Sequence, residues 1–258
     1  MTVWHMSGAG NDFLVMDARG QSPDFSMLAK KLCTQTGADG FIALDHSATA
    51  DFKLHFYNPD GSRGEMCGNG ARCICRFAFD LGIVGETMTV ETDAGPIFGW
   101  RLDRETYRIR LNTPGIADLH RLPDAAYVEL GDPGIPHAVV ELPSLSWEDR
   151  ESLRGRAVAL RHSPAFPKGA NINFFTCLDN RTIRILTYER GVEEYTLACG
   201  TGCGSVAAVL WMQGRLPGGV LTAHNPGGIL TITISGNAGE ITTLLLEGPT
   251  QILNQFDT

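Results

Sequence analysis

The chain has no apolar run long enough to cross a bilayer. Its longest, from Gly204 to Met212, is about half of the ~20 residues a transmembrane helix requires. No basic region precedes an apolar core in MTVWHMSGAGNDF, and Asp12 falls early, so the N-terminus does not read as a secretory signal and a cytoplasmic location is expected. Lys/Arg runs are also missing. Acidic side chains outnumber basic ones 29 to 21, for a formal charge of −8, which argues against nucleic acid and anionic membrane as partners. The sequence contains no low-complexity linker. It also lacks the CxxC pairs of zinc and thioredoxin-like sites, and no GK[ST] follows a glycine loop. GAGNDF has no third glycine and CGTGCG places its third one residue early, so neither is a dinucleotide fingerprint. A dedicated metal site, a thiol redox protein and a nucleotide-binding module are therefore all weak readings.

What is present is an ordinary globular composition, with 43% hydrophobic and 19% charged residues among 258, enough for one large domain or two modest ones. Seven cysteines, an odd number in a chain with no export signal, favour free thiols over a disulfide framework.

The chain also repeats itself. At a displacement of 132, GAD at Gly37 matches GAN at Gly169, CGNG at Cys67 matches CGTG at Cys199, and DAG at Asp93 matches NPG at Asn225. Upstream the displacement falls to 124, where GNDFLVMD from Gly10 resembles GIPHAVVE from Gly134. Each copy reads as strand, helix, strand, strand, polar loop, buried helix, then further strands with turn signals. The expected fold is α+β: two pseudo-symmetric halves, each a small, mostly antiparallel, barrel-like sheet wrapped around a buried helix, with the site in the cleft between them. The boundary is expected near 115, giving an N-terminal half over 1–115 and a C-terminal half over 116–246, with a strand at about 247–258 returning to the first half.

Cys67 and Cys199 are equivalent in this repeat, each directly before Gly-x-Gly and a buried helix. A helix N-terminus carries unpaired N–H groups and partial positive charge, so a thiol there is expected to have a lowered pKa. The same N–H groups, made approachable by Gly68, Gly70, Gly200 and Gly202, can cradle a carboxylate. A thiol in each half suits removal of a proton from one face of a carbon and delivery to the other, which is racemisation or epimerisation, and this logic needs no cofactor. Cys33, Cys73, Cys75 and Cys177 read as packing residues, and Cys203 lies one turn beyond Cys199. An isolated Asn11 or Asn58 reads equally well as a turn residue, and His137 as a satisfied loop histidine.

GAGNDF, NPDGSRGEMCGNGAR, YERGVEEYTLACGTG and NPGG, in this order over nearly the whole chain, resemble the signature segments of the diaminopimelate epimerase family, pyridoxal-independent two-cysteine isomerases. The resemblance implies Cys67 and Cys199 as the acid–base pair and His137 and Glu189 as groups that tune the thiols. It implies substrate contacts from Asn11, Asn58, Asn171, Glu189 and Arg190. The backbone at Gly68-Asn69 and Gly200-Thr201 would hold the carboxylate beside the reacting carbon, and Arg190 a distal carboxylate. It further implies conversion of LL-diaminopimelate to the meso form in lysine and peptidoglycan precursor biosynthesis, no cofactor or metal, a small amino-acid substrate, and a homodimer.

Three features depart from the family pattern. Ile135 stands where GNPH is usual, Gly40 where some members place glutamine, and the loop from Glu189 to Cys199 is one residue longer than its shortest form. Loss of two polar contacts leaves open a racemase of another amino acid, such as histidine, on the same plan. A different class, a non-catalytic amino-acid-binding protein, would be marked by loss of a cysteine, and both cysteines are present. Two facing thiols are also expected to form a disulfide on oxidation.

Overall fold

The computed structural model describes residues 1–64, 67–237 and 240–258. The fold is mixed α+β, mainly strands with four α-helices among the described residues, and divides into two compact units: residues 1–110 with 247–258, and residues 111–246.

The first unit runs β1 (Thr2–Gly8), β2 (Asn11–Asp17), α1 (Phe25–Thr36), β3 (Gly40–Asp45), β4 (Phe52–Tyr57), β5 (Arg63–Gly64), α2 (Gly68–Asp80), β6 (Thr87–Thr92), β7 (Gly95–Arg101) and β8 (Thr106–Leu111). Neighbours pair antiparallel except where a helix intervenes: β2 is parallel to β3 across α1, and β4 to β6 across α2. A parallel pair needs a long crossover, and the helices supply it. Asp24 starts α1 by accepting the Met27 N–H at 3.0 Å, and Gly37 ends it at φ 77°, where glycine carries no steric penalty. Helix α2 packs against β1, β2, β3 and β7, and most of its residues are buried.

The second unit repeats this plan: β9 (Pro114–Leu122), β10 (Ala125–Gly131), β11 (Gly134–Glu141), α3 (Arg150–Arg161), β12 (Asn171–Cys177), β13 (Thr182–Glu189), β14 (Glu194–Thr196), α4 (Gly200–Met212), β15 (Val220–Asn225), β16 (Gly228–Asn237) and β17 (Glu240–Pro249). Here β11 is parallel to β12 and β13 to β15, and α4 packs against β9, β10, β11, β12 and β16. The last strand, β18 (Gln251–Asp257), pairs antiparallel with β1, as β9 does with β10. Each sheet wraps its helix without closing into a barrel. No helix among the described residues is long and apolar enough to cross a membrane.

The pairings correct the single register read from the sequence. Phe41 faces Tyr57 and Ile172 faces Tyr188, a displacement of 131, whereas Val90 faces Ile97 and Ala223 faces Leu230, a displacement of 133. The helices keep 132, with Gly68–Asp80 matching Gly200–Met212, and so do the short strands β5 and β14, where Arg63 matches Tyr195. The GAD/GAN and DAG/NPG matches are each one residue off the strands, because single-residue differences accumulate in the loops.

Candidate active site

Cys67 and Cys199 occupy the same place in their units, the extended residue just before the first turn of a buried helix (φ −128° and ψ 123°; φ −120° and ψ 107°). The glycines that follow are dictated by packing. A Cβ on Gly70 would stand 2.8 Å from Ile42 Cδ1, one on Gly200 would collide with Leu246, and one on Gly202 would collide with Asn173 Oδ1. Close approach of helix to sheet thus leaves no room for a side chain at these three positions.

The two thiols differ. Cys199 is 7% exposed, and its Sγ accepts the Gly202 N–H at 3.4 Å and lies 3.5 Å from Thr201 Oγ1. Cys67 is half-buried and its side chain does not cap α2. Burial holds the Cys199 thiol well above the ordinary thiol range, and the Glu189 carboxylate pushes the same way, against the smaller effects of Thr201 and the Gly202 amide. This reverses the expected lowering at Cys199, because a buried thiolate loses more solvation than one helix terminus returns. Burial also raises the thiols of Cys33 to about 11 and of Cys73 and Cys75 to about 12, as inert packing residues require.

In the first unit, Asn11 and Asn69 meet over the start of α2. Asn69 Nδ2 donates to Asn11 Oδ1 at 2.9 Å, Asn11 Nδ2 donates to Asp39 at 3.1 Å, and Asn69 Oδ1 accepts from Arg72 at 2.9 Å. Arg72, fully buried, also donates to the Gly68 carbonyl at 3.2 Å. Asn58 lies apart from this group in its hydrogen bonds. Its Nδ2 donates to Ser62 Oγ at 3.0 Å and its N–H to the Ser62 carbonyl at 2.8 Å, which holds the turn after β4. A side chain on Gly40 would meet the Phe56 ring at 2.6 Å, so the ring fills the space another residue type would use.

In the second unit, Asn171 Oδ1 accepts the Arg190 N–H at 2.8 Å, and the exposed Arg190 guanidinium donates to the Lys168 carbonyl at 2.9 Å. Glu189 accepts from Thr196 Oγ1 at 2.7 Å. His137 is fully buried, and burial lowers its pKa to about 3, so the ring is neutral and Glu189 is the charged group that acts on Cys199. Ile135 is half-buried on β11, opposite Leu130. Gly200 and Thr201 form the first turn of α4 as Gly68 and Asn69 form that of α2.

Sequence reasoning missed Arg72 and Asn173. Arg72 was visible only as one of two arginines inside a largely apolar helix. Asn173 was hidden within the strand INFFTC, where alternation alone does not reveal a fully buried amide. Among the described residues, no group of three or more His, Cys, Asp or Glu is arranged to hold a metal ion.

The fold places the chain among two-unit proteins of known structure. It is similar to a Bacillus anthracis phenazine biosynthesis protein of the PhzF family (TM-score 0.73, 14% identity, covering 100% of this chain and 98% of that one). It is also similar to a probable proline racemase from Agrobacterium radiobacter (TM-score 0.71, 17% identity, covering 100% and 92%). At those identities the likeness is one of fold. The sequence goes further. The chain belongs to the diaminopimelate epimerase family, whose profile matches residues 3–105 and 131–252. It is 36% identical to the diaminopimelate epimerase of Aquifex aeolicus over 93% of this chain and 92% of that protein. It is 31% identical to that of Flavobacterium psychrophilum over 100% and 99%.

Proposed function

We propose that this protein epimerises LL-diaminopimelate to the meso form by a two-base mechanism, with Cys67 and Cys199 as the acid–base pair. The observation that carries the reading is the equivalence of the two cysteines, each at the N-terminus of the buried helix of one unit in a chain of this family. One thiolate takes the α-hydrogen: the C–H bond breaks, an S–H bond forms, and the electron pair spreads into the adjacent carboxylate. The other thiol then gives its proton to the opposite face of the same carbon, so each turnover exchanges the protonation states of the two sulfurs without net loss of a proton.

The N–H groups at Gly68-Asn69 and Gly200-Thr201 hold the carboxylate, where charge develops in the transition state. The planar Arg190 fork suits the distal carboxylate, with Asn11, Asn58 and Asn171 as further contacts and Glu189 accepting from the reacting ammonium. Glu189 tunes the protonation of the Cys199 thiol, while His137, expected from the resemblance to share that role as a charged group, serves as a neutral ring. The reading includes a homodimer, which analytical ultracentrifugation tests.

A second reading, a racemase of another amino acid, draws support from Ile135 and from the Phe56 ring that fills the space beside Gly40. The test is α-proton exchange in deuterated solvent with reduced protein and separate samples of LL-diaminopimelate, histidine, glutamate and lysine. Exchange confined to diaminopimelate supports the first reading, and exchange confined to another substrate replaces it with the second.

A further inference from the structure

The sheet positions beneath the two helix starts are equivalent in register but opposite in chemistry. In the first unit Ile42 pairs directly with Phe56, and Phe13 stands two positions before Val15, the partner of Ile42 on β2. In the second unit the same places are held by Asn173, paired with Thr187, and by His137, two positions before Val139, the partner of Asn173. Each set lies under the third residue after the cysteine. A Cβ on Gly70 would meet Ile42 and Phe13, and one on Gly202 would meet Asn173 and Thr187. One helix start therefore rests on apolar side chains and the other on a buried polar chain.

The hydrogen bonds of that chain fix its proton positions. The Asn173 nitrogen faces the Ala138 carbonyl at 2.9 Å and the Asn171 carbonyl at 3.3 Å, and its Oδ1 accepts from Thr187 Oγ1 at 3.0 Å. Two carbonyls and a hydroxyl settle which end of the amide is nitrogen. That nitrogen, whose two hydrogens are shared among three acceptors, also lies 3.2 Å from His137 Nδ1; an amide nitrogen cannot accept a hydrogen bond, so Nδ1 is the bare ring nitrogen and the single proton of the neutral ring sits on Nε2. Among the described residues His137 Nε2 is a buried polar atom with no hydrogen-bond partner, in a ring with 0% exposure. Holding a buried donor unpaired is costly, so the surrounding contacts must enforce it.

We propose that Asn173 is a positioning residue that holds His137 as its Nε2–H tautomer and, through Thr187 and Gly202, fixes the first turn of α4 and the Cys199 thiol that caps it. The proposal rests on the reading of Cys199 as an acid–base group. It goes beyond that reading by making the two halves chemically unequal: the tautomer lock exists only on the Cys199 side, since Phe13, Ile42 and Phe56 have no groups to form one.

Nitrogen NMR of the reduced full-length protein labelled with 15N-histidine tests the lock without substrate. The expected spectrum shows His137 with a protonated Nε2 and a bare Nδ1, unchanged from pH 5 to pH 8, with Arg190 the charged group nearby that opposes protonation. A proton on Nδ1, or titration near the ordinary histidine range, overturns the proposal. In Asn173→Leu the fixed tautomer is lost and kcat falls by about 10- to 100-fold, while KM stays within about twofold, as a displaced proton-transfer group requires. A variant that keeps both kcat and the tautomer overturns it. Should the leucine variant not fold, Asn173→Asp, which keeps the acceptor for Thr187 and removes the donor to Nδ1, carries the same expectations. If the unmodified protein exchanges no α-proton, the functional reading falls, and the tautomer measurement still decides the lock.

Discussion

His137 concentrates the pH dependence that burial writes into single residues. Its folded pKa of about 3 lies below the ordinary histidine value, so the unfolded chain binds the extra proton first as pH falls. The stability this contributes is complete above about pH 6.5 and drains away between there and about pH 3. Urea unfolding at pH 7 and pH 5 is expected to show a loss for the unmodified protein and a smaller one for His137→Phe, which installs the residue found at the equivalent Phe13. Equal losses would contradict the account. At Gly202, an added methyl group runs into an amide already tied to four groups, so Gly202→Ala is expected to cost about 1–3 kcal/mol by urea unfolding. The cysteines and glycines of CGNG and CGTG were readable because their spacing is itself the signal. The direction of the Cys199 shift was not, because it depends on burial contributed by strands far away in sequence.

At the scale of elements, the order of strands and helices in each copy was legible, and local caps set where α1 begins and ends. Asp24 before Phe25–Thr36 and Gly37 after it are those caps, and Asp24→Ala is expected to lower stability by about 1 kcal/mol through loss of the bond to the Met27 N–H. A thermal melt that does not move would count against that cap. The all-round burial of α2 was legible as well, but not the way its charges are absorbed. Arg76 donates to the Thr250 carbonyl at 2.6 Å and Arg72 turns back to its own first turn. Register was the least legible feature. The motif matches suggest one displacement, and the ladders drift from 131 to 133, since a residue gained or lost in a loop leaves motif spacing nearly intact and still moves every later pair.

At the scale of the whole molecule, the repeat acts as a physical constraint. The N-terminal unit is completed by the end of the chain: β18 pairs with β1, and Thr250 accepts from buried Arg76. Deleting residues 250–258 is expected to unfold or aggregate that unit by exposing the β1 edge and stranding a guanidinium, and circular dichroism with light scattering reads the result. The central claim is that two equivalent cysteines share one proton transfer. Its most direct test is solvent-deuterium incorporation at the α-carbon of LL-diaminopimelate, followed by proton NMR, for the reduced protein beside Cys67→Ala and Cys199→Ala. The account predicts rapid exchange with epimerisation in the unmodified protein, and loss of epimerisation by at least about 10³-fold in each variant, comparable to removing one member of a coupled catalytic set. Epimerisation that survives in either variant would contradict it.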